Sequence, residues 1–410
     1  MKINKLKNKK VNNCLLCKKK KLKLIFSLGD LFISNFVSKK KIKKGLKAPL
    51  KLMYCSNCTL IQLSHIAPQE LMYKKYYWYR SGVTKTMIDG LKNIFEESLD
   101  HIRIKKGDVV LDIGANDGTL LKNYSKEGYI TIGCEPAKNL KNQLKKNCSF
   151  MINDFWSKEK LKKILKKNNL PKPKIITAIG MFYDLENPNI FIRDAAESLD
   201  ENGIFIAQLM CLNSMLKKND LGNICHEHIE FYSHQSLKYL FENNGLEIFK
   251  IEENNINGGS YRIYCRKFKK GSINLKKENV LSEVIKFKKR IDSNKKKTVS
   301  FIKQENKKGK KIFLYGASTK GNTVLQYYKI NNKLIPYAAE RSKEKYGKYT
   351  IGTGIKIISE KKARKLKPDY FFITPWGFVK EFISREKNWL KKGGKFILPF
   401  PNFKLINYRK

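Results

Sequence analysis

The sequence predicts an α/β protein. A doubly wound parallel sheet fills the middle of the chain, a small cysteine-bearing domain precedes it, and a smaller Rossmann-like unit follows. Three observations carry this. Between 109 and 209, apolar strand-like runs alternate strictly with helical patterns. The first run, Val109 to Ile113, passes into a glycine-bearing turn, Gly114 to Gly118, and then into another apolar-periodic segment, as a strand, tight loop and helix start. The same logic returns at Lys311 to Asn322, where an apolar run meets Gly316 and Gly321.

Taken in order, the middle segment predicts strands at 109–115, 129–135, 149–154, 174–180 and 203–209. Helices lie near 137–146, 157–168 and 188–200 between them. A polar excursion from Cys211 to His234 follows, then a helix at 235–244 and two further strands near 246–252 and 260–266. The charged stretch at 267–311, helical in pattern over 278–307, reads as a linker helix. Strands near 334–339, 370–374 and 395–399 complete the last unit. The resulting division is 1–66, a helical connector at 67–105, the main sheet at 106–268, a linker helix at 269–307 and a C-terminal α/β domain at 308–410. The connector carries an aromatic patch, Tyr76-Tyr77-Trp78-Tyr79, beside Arg80 and Ser81, which reads either as core or as a cavity wall.

Composition narrows the function classes. Hydrophobic residues make up 41% of the chain, enough for packed cores and against a disordered basic protein. No uncharged apolar run is long enough for a membrane span, and no apolar segment follows the basic N-terminus, so the cytoplasm is the expected compartment. The net charge of +49 raises nucleic acid as a partner. Against that, the charge is nearly all lysine spread along solvent faces, whereas bidentate phosphate and base recognition favours arginine.

Two Cys-x-x-Cys pairs, Cys14/Cys17 and Cys55/Cys58, can each form a knuckle offering two thiolates, and the gap between them can hold a short hairpin. A structural Zn2+ is the expected occupant. A closed four-thiolate shell leaves no position for a substrate, so that metal would hold the fold and not catalyse.

The first glycine loop reads Asp112-Ile-Gly114-Ala-Asn116-Asp-Gly118. Its spacing is not the G-x-G-x-x-G that seats a pyrophosphate. It resembles motif I of class I S-adenosylmethionine (SAM) methyltransferases, where the loop wraps a ligand without phosphates. Glu135 ends the second strand, where an acid binds ribose hydroxyls in such sheets. Asp154 and Phe155 end the third strand, placed to meet an adenine edge and face, and Gln208 ends the fifth. Phe182 or Tyr183, at the rim of the fourth, is expected to cover the ligand.

His226-Glu227-His228 is the sharpest constellation in the excursion. An imidazole can take a proton near neutral pH, and a neighbouring carboxylate can orient it. Structural histidines are the competing reading. A catalytic metal would need a third ligand and another spacing.

Together these phrases resemble the three-domain SAM-dependent sugar C-methyltransferases: a doubly wound class I SAM methyltransferase sheet with a small N-terminal zinc domain and a C-terminal Rossmann-like α/β domain. The likeness runs through Cys14, Cys17, Cys55 and Cys58, Tyr77 to Thr84, Asp112 to Gly118, Glu135-Pro136, Cys225 to His228, Tyr315 to Thr323, Thr374-Pro375-Trp376 and Gly393 to Ile397. The resemblance implies SAM as cofactor and a nucleotide-linked keto-deoxysugar as substrate, with the C-terminal domain holding the nucleotide end. It also implies His228 as base, Glu227 as its orienter, and His226 or Tyr79 as donor to the ketone oxygen. Cys225 stands where the family often has Tyr, and Tyr183 where some members have His, which bears on substrate and regiochemistry. An O- or N-methyltransferase acting on RNA, and a scaffold without catalysis, are the competing readings.

Overall fold

The computed structural model describes residues 7–74 and 77–408; Tyr76, named in the aromatic patch, lies outside them. A seven-stranded sheet forms the centre. From edge to edge its order is Leu246–Asn254, Ser260–Lys267, Ile204–Met210, Ile175–Ile179, Val109–Ile113, Ile130–Cys134 and Phe150–Ile152. The last five named are parallel, and Ser260–Lys267 runs antiparallel to both of its neighbours. Val109–Ile113 is buried along its whole length, which is why it reads as an unbroken apolar run in the sequence. Val109, Leu111 and Ile113 join one hydrophobic cluster, and Val110 joins the other with Leu91 and Ile94 of the helix Lys85–His101. The order of strands reverses beside Val109–Ile113, so the loops at its C-terminal end and that of Ile175–Ile179 flank an open crevice.

The N-terminal hairpin is long: Leu22–Phe32 pairs with Lys47–Cys55. Ile61–Leu63 extends it, and Glu230–Phe231, from the polar excursion of the middle segment, adds the fourth strand. The C-terminal sheet has eight strands. The sequence pattern marked Ile312–Tyr315, Tyr337–Glu340, Tyr370–Ile373 and Lys395–Leu398 but not Lys356–Ser359, Tyr349–Thr350 or Lys404–Ile406. Its far edge is Phe36–Val37, contributed by the N-terminal segment. Each outer sheet therefore borrows a strand from elsewhere in the chain.

The linker helix is a core element. Over Val280–Lys307 it buries Val280, Val284, Phe287, Ile291, Asn294, Thr298, Ile302 and Glu305, a three-and-four spacing that gives one continuous stripe. Phe287 meets Phe26 of the N-terminal hairpin edge-on at 5.7 Å, and Asn294 donates to the Pro401 carbonyl at 3.0 Å.

The connector, read as helical over 67–105, is helical in separate pieces. A short π-helical turn covers Glu70–Lys74, residues 77–80 have no regular structure, and the α-helix begins only at Lys85. The cause is side-chain competition for backbone N–H groups. The Tyr77, Ser81 and Gly82 amides donate to Asn139 Oδ1 (2.9 Å), Asn116 Oδ1 (3.0 Å) and Asp117 Oδ2 (2.8 Å).

Candidate active site

One cavity of about 710 Å3 opens at the C-terminal ends of the central strands and runs between all three parts of the chain. Its size lies in the roughly 300–1,000 Å3 range of ligand sites.

The glycine loop walls one half. Gly114 and Gly118 both have φ of 78° and Asn116 has 53°, so the backbone curls through the left-handed region three times. A Cβ on Gly114 would stand 2.6 Å from Met181 Cγ, so only glycine lets the loop approach the fourth strand's rim this closely. Asp112 is buried and accepts from Thr177 Oγ1 at 2.6 Å; burial, only partly offset by that bond, pushes its carboxyl up to about 7. Glu135 accepts the Asn116 and Ala137 amides, both at 2.9 Å, yet burial outweighs these donors and raises its pKa. Gln208 Oε1 accepts from Arg262 Nε at 3.0 Å and Asn254 Nδ2 at 3.1 Å, which fixes the side chain at the cavity floor. Phe155 and Trp156 line the cavity. Asp154 does not: its half-exposed carboxylate is held by Lys160 at 2.8 Å and Lys74 at 3.6 Å, and the Lys160 hydrogen bond lowers its pKa.

The connector straps this loop from outside. Besides receiving the Ser81 amide, Asn116 donates to the Tyr79 carbonyl at 3.3 Å. Asp117 holds the Gly82 amide and the Thr119 hydroxyl (2.6 Å). Arg80 then ion-pairs with Glu344 of the C-terminal domain, and Tyr79 lines the cavity beside this strap.

The other half is built from the excursion and the C-terminal domain. His228 is buried, its Nδ1–H donates to the Asn223 carbonyl at 2.8 Å, and its ring meets Tyr183 edge-on at 4.5 Å. A carbonyl can only accept, so Nδ1 carries the proton and Nε2 keeps a free lone pair. Burial, reinforced by the Lys320 charge, depresses the His228 pKa well below the usual histidine value and keeps the ring neutral. Lys320 arrives from the second glycine loop and donates to Asn223 Oδ1 at 2.7 Å. Ser318, Thr319, Thr374 and Trp376 of the C-terminal domain complete this wall.

His226 does not reach the cavity. Its Nε2–H donates to the Ala48 carbonyl of the N-terminal hairpin at 3.0 Å, and burial lowers its pKa to about 4. Glu227 lines the cavity but is not the group that orients His228; the Asn223 carbonyl is.

Near this hairpin the four cysteine Sγ atoms all lie within 4.8 Å of one another. Cys14 and Cys58, and Cys17 and Cys55, approach to 3.5 Å, so contacts cross between the two knuckles. The Lys18 and Thr59 amides return to the Cys14 and Cys55 carbonyls, both at 3.0 Å, closing each turn. Zn–S arms of about 2.3 Å give a tetrahedron with edges of roughly 3.8 Å, which these positions fit. They form a structural zinc site. The His226–Ala48 bond and the Glu230–Phe231 strand tie that domain to the loop bearing His228.

Three family models match consecutive stretches: a zinc binding domain over residues 14–73, a methyltransferase domain over 79–251 and a C-methyltransferase C-terminal domain over 255–401. The chain is a three-domain class I SAM-dependent methyltransferase. Among curated proteins it is similar to the C-methyltransferase NovU of Streptomyces niveus, 24% identical over 374 residues, covering 88% of each chain. Among solved structures it is similar to magnesium protoporphyrin IX methyltransferase of Synechocystis, with 11% identity, 45% of this chain, 84% of that one and a TM-score of 0.35. It is also similar to the plantazolicin methyltransferase BpumL, with 13% identity, 46% of this chain, 87% of that one and a TM-score of 0.31.

The methyltransferase thus brings Asp112, Gly114, Asn116, Glu135, Phe155, Gln208, Tyr79, Glu227 and His228 around one cavity. Gly118 lies behind the loop, against Leu144 and Asn147. Asn223, Asp184 and the strap-holding role of Asp117 were not legible in the sequence. Asn223 acts through its main chain, which leaves no side-chain signature. No helix among the methyltransferase's described residues is long and apolar enough to cross a membrane.

Proposed function

We propose that this methyltransferase acts in the cytoplasm on a small molecule, transferring a methyl group from SAM to carbon on a nucleotide-linked keto-deoxysugar. The observation that carries the reading is His228: neutral, anchored through Nδ1–H on the Asn223 carbonyl, and open at Nε2 in a cavity shared by the glycine loop and the C-terminal domain. Similarity to a curated C-methyltransferase along most of the chain supports carbon as the acceptor atom. The division into segments at 66, 105, 268 and 307 belongs to this proposal, with the C-terminal domain taking the nucleotide end.

The glycine loop, Glu135, Gln208 and Phe155 fit SAM: a curled backbone without a Cβ at Gly114, an acid for ribose hydroxyls, and an aromatic face for the base. When bound, SAM supplies an electrophilic methyl group. The chain's own part is proton transfer and charge placement. The carbonyl of a keto sugar acidifies the adjacent C–H; His228 Nε2 takes that proton, and the resulting enolate carbon would form the new C–C bond to the methyl group as that group's bond to the SAM sulfur breaks, the electron pair staying on sulfur. Tyr79, at the cavity wall, is the donor to the developing oxyanion, since His226 is committed to Ala48.

The test is mass spectrometry of a panel of nucleotide-linked keto sugars incubated with protein and SAM. Methylation of at least one, lost in His228→Ala by a factor of about 10²–10⁴ with SAM affinity retained by calorimetry, supports the reading. No product from any member, or full turnover by His228→Ala, overturns it.

A further inference from the structure

The zinc domain grips the loop that carries His228 along its length, from His226 to Ser233. His226 donates to the Ala48 carbonyl at 3.0 Å, and the Leu63 amide donates to the Ile229 carbonyl at 2.9 Å. Gln62 pairs with Glu230 across the antiparallel ladder. Thr59, next to the zinc ligand Cys58, shares a hydrogen bond of 2.6 Å with the Ser233 hydroxyl.

Gln62 joins the metal knuckle to this grip. Its side chain is fully buried, so its amide group has to be satisfied inside the protein. Oε1 accepts the Leu15 amide at 2.8 Å and Nε2 donates to the Asn13 carbonyl at 3.3 Å, on either side of Cys14. Its main chain lies between Met53 and Glu230 in the sheet. The position of the first knuckle is thereby carried into the strand that pairs with the excursion. From there the Ile229 and Glu230 amides both donate to the Tyr183 carbonyl, at 2.8 and 3.0 Å, and the Tyr183 ring meets His228 edge-on. On its other side the knuckle is clasped by Asn189, which donates to the Leu15 and Leu16 carbonyls at 3.1 and 3.0 Å.

The cofactor half is held differently. The glycine loop takes the Ser81 and Gly82 amides, Glu135 takes those of Asn116 and Ala137, and Gln208 takes Arg262 and Asn254. These partners all lie outside the zinc domain.

We propose that Gln62 is a positioning residue for His228, and that zinc, acting through Gln62 and Thr59, governs proton transfer at His228 while leaving SAM binding untouched. The inference rests on His228 as the base, the reading given above. Bound Zn2+ fixes the two knuckles relative to each other, so both holds on the loop depend on it. A displacement of about 1 Å at the base is enough to cost about 10²-fold in rate.

The experiment uses the zinc-loaded full chain with 15N-labelled histidine rings, the His228 signals being identified by their loss in His228→Ala. Wild type should show a neutral ring with its proton on Nδ1. Gln62→Met keeps the side chain's length and loses both hydrogen bonds to the knuckle. Its His228 signals should shift, and kcat should fall about 10–100-fold with SAM affinity by calorimetry unchanged. Gln62→Glu, which keeps an acceptor for the Leu15 amide, should recover part of the rate. Stepwise removal of zinc from wild type with a chelator tests the same coupling without a variant, and decides the matter if Gln62→Met does not fold. The His228 signals should change there while SAM affinity holds. Signals that stay fixed in folded Gln62→Met or on zinc removal, or SAM affinity lost in step with the metal, overturn the inference. The ring signals and the calorimetry need no acceptor, so failure of the sugar reading shows separately, as no product from any keto sugar while the His228 signals still follow the zinc.

Discussion

The chain contains two strand–glycine–helix corners, and they solve the same backbone problem for opposite electrostatics. After Val109–Ile113 the loop's Asn116 amide donates to Glu135, at the end of the next parallel strand, at 2.9 Å. After Ile312–Tyr315 the Ala317 amide donates to Glu340, at the end of its neighbouring parallel strand, also at 2.9 Å. Gly114 and Gly316 turn the chain at φ of 78° and 81°. There the likeness stops. Among the described residues Glu135 has no ion pair and faces the cavity as a buried acid, whereas Glu340 is neutralised by Lys345 at 3.3 Å. Lys320 adds a second cation at the mouth of the second loop. The lesson is that the backbone corner sets where a ligand sits, and the charges around it set which ligand. On the proposed reading, the first loop takes neutral hydroxyl donors and the second an anionic group.

Exchanging those charges should separate the two halves. Of the two charge exchanges the larger effect is expected from Glu135→Gln, which weakens two amide contacts and removes the proposed acceptor for ribose hydroxyls. SAM affinity by calorimetry should fall about 10–100-fold, with acceptor binding little changed. Lys320→Met should do the reverse, raising the acceptor KM about tenfold while SAM affinity holds. If both variants weakened both ligands alike, the two-corner division would fail.

His228 sharpens the comparison through pH. Because its pKa lies well below the usual histidine value, kcat/KM should stay level as pH falls through about 6.5, where an ordinary histidine base would already be losing activity. Lys320→Met removes a nearby positive charge and should move that acid limb to higher pH.

The smallest effect concerns Asp112, whose carboxyl burial pushes up to about 7 from the ordinary aspartate value of 3.8. The folded state holds this proton more tightly, so its contribution to stability is greatest below pH 3.8 and is lost as pH rises toward 7. Asp112→Asn abolishes that slope. Urea denaturation of variant and wild type from pH 5 to 8 should show the difference shifting in the variant's favour as pH rises. A constant difference would show that Asp112 does not titrate in this window.

Much of this architecture was legible in the residues. The parallel strands are buried on both faces and therefore read as apolar runs, and the linker helix shows its stripe at three-and-four spacing. The cysteine knuckles declare themselves because thiolates must come in local pairs to share one metal. The break in the connector was not legible because nothing local says that Asn139, Asn116 and Asp117 will take the amides of Tyr77, Ser81 and Gly82. His226 and His228 look equivalent in the sequence, two residues apart. One is turned to Ala48 and the other to the cavity by a loop with no periodicity to read.

The sequence by itself determined the sheet, the two glycine corners, the cofactor class and the zinc ligands, because each rests on short-range spacing and burial. Only the tertiary structure decided which histidine is free, what holds it, and which corner's acid is paired. Those depend on contacts between residues far apart in the chain: Ala48 with His226, and Lys320 with Asn223. No local pattern encodes such a contact, because its geometry exists only once the three domains have closed on one cavity.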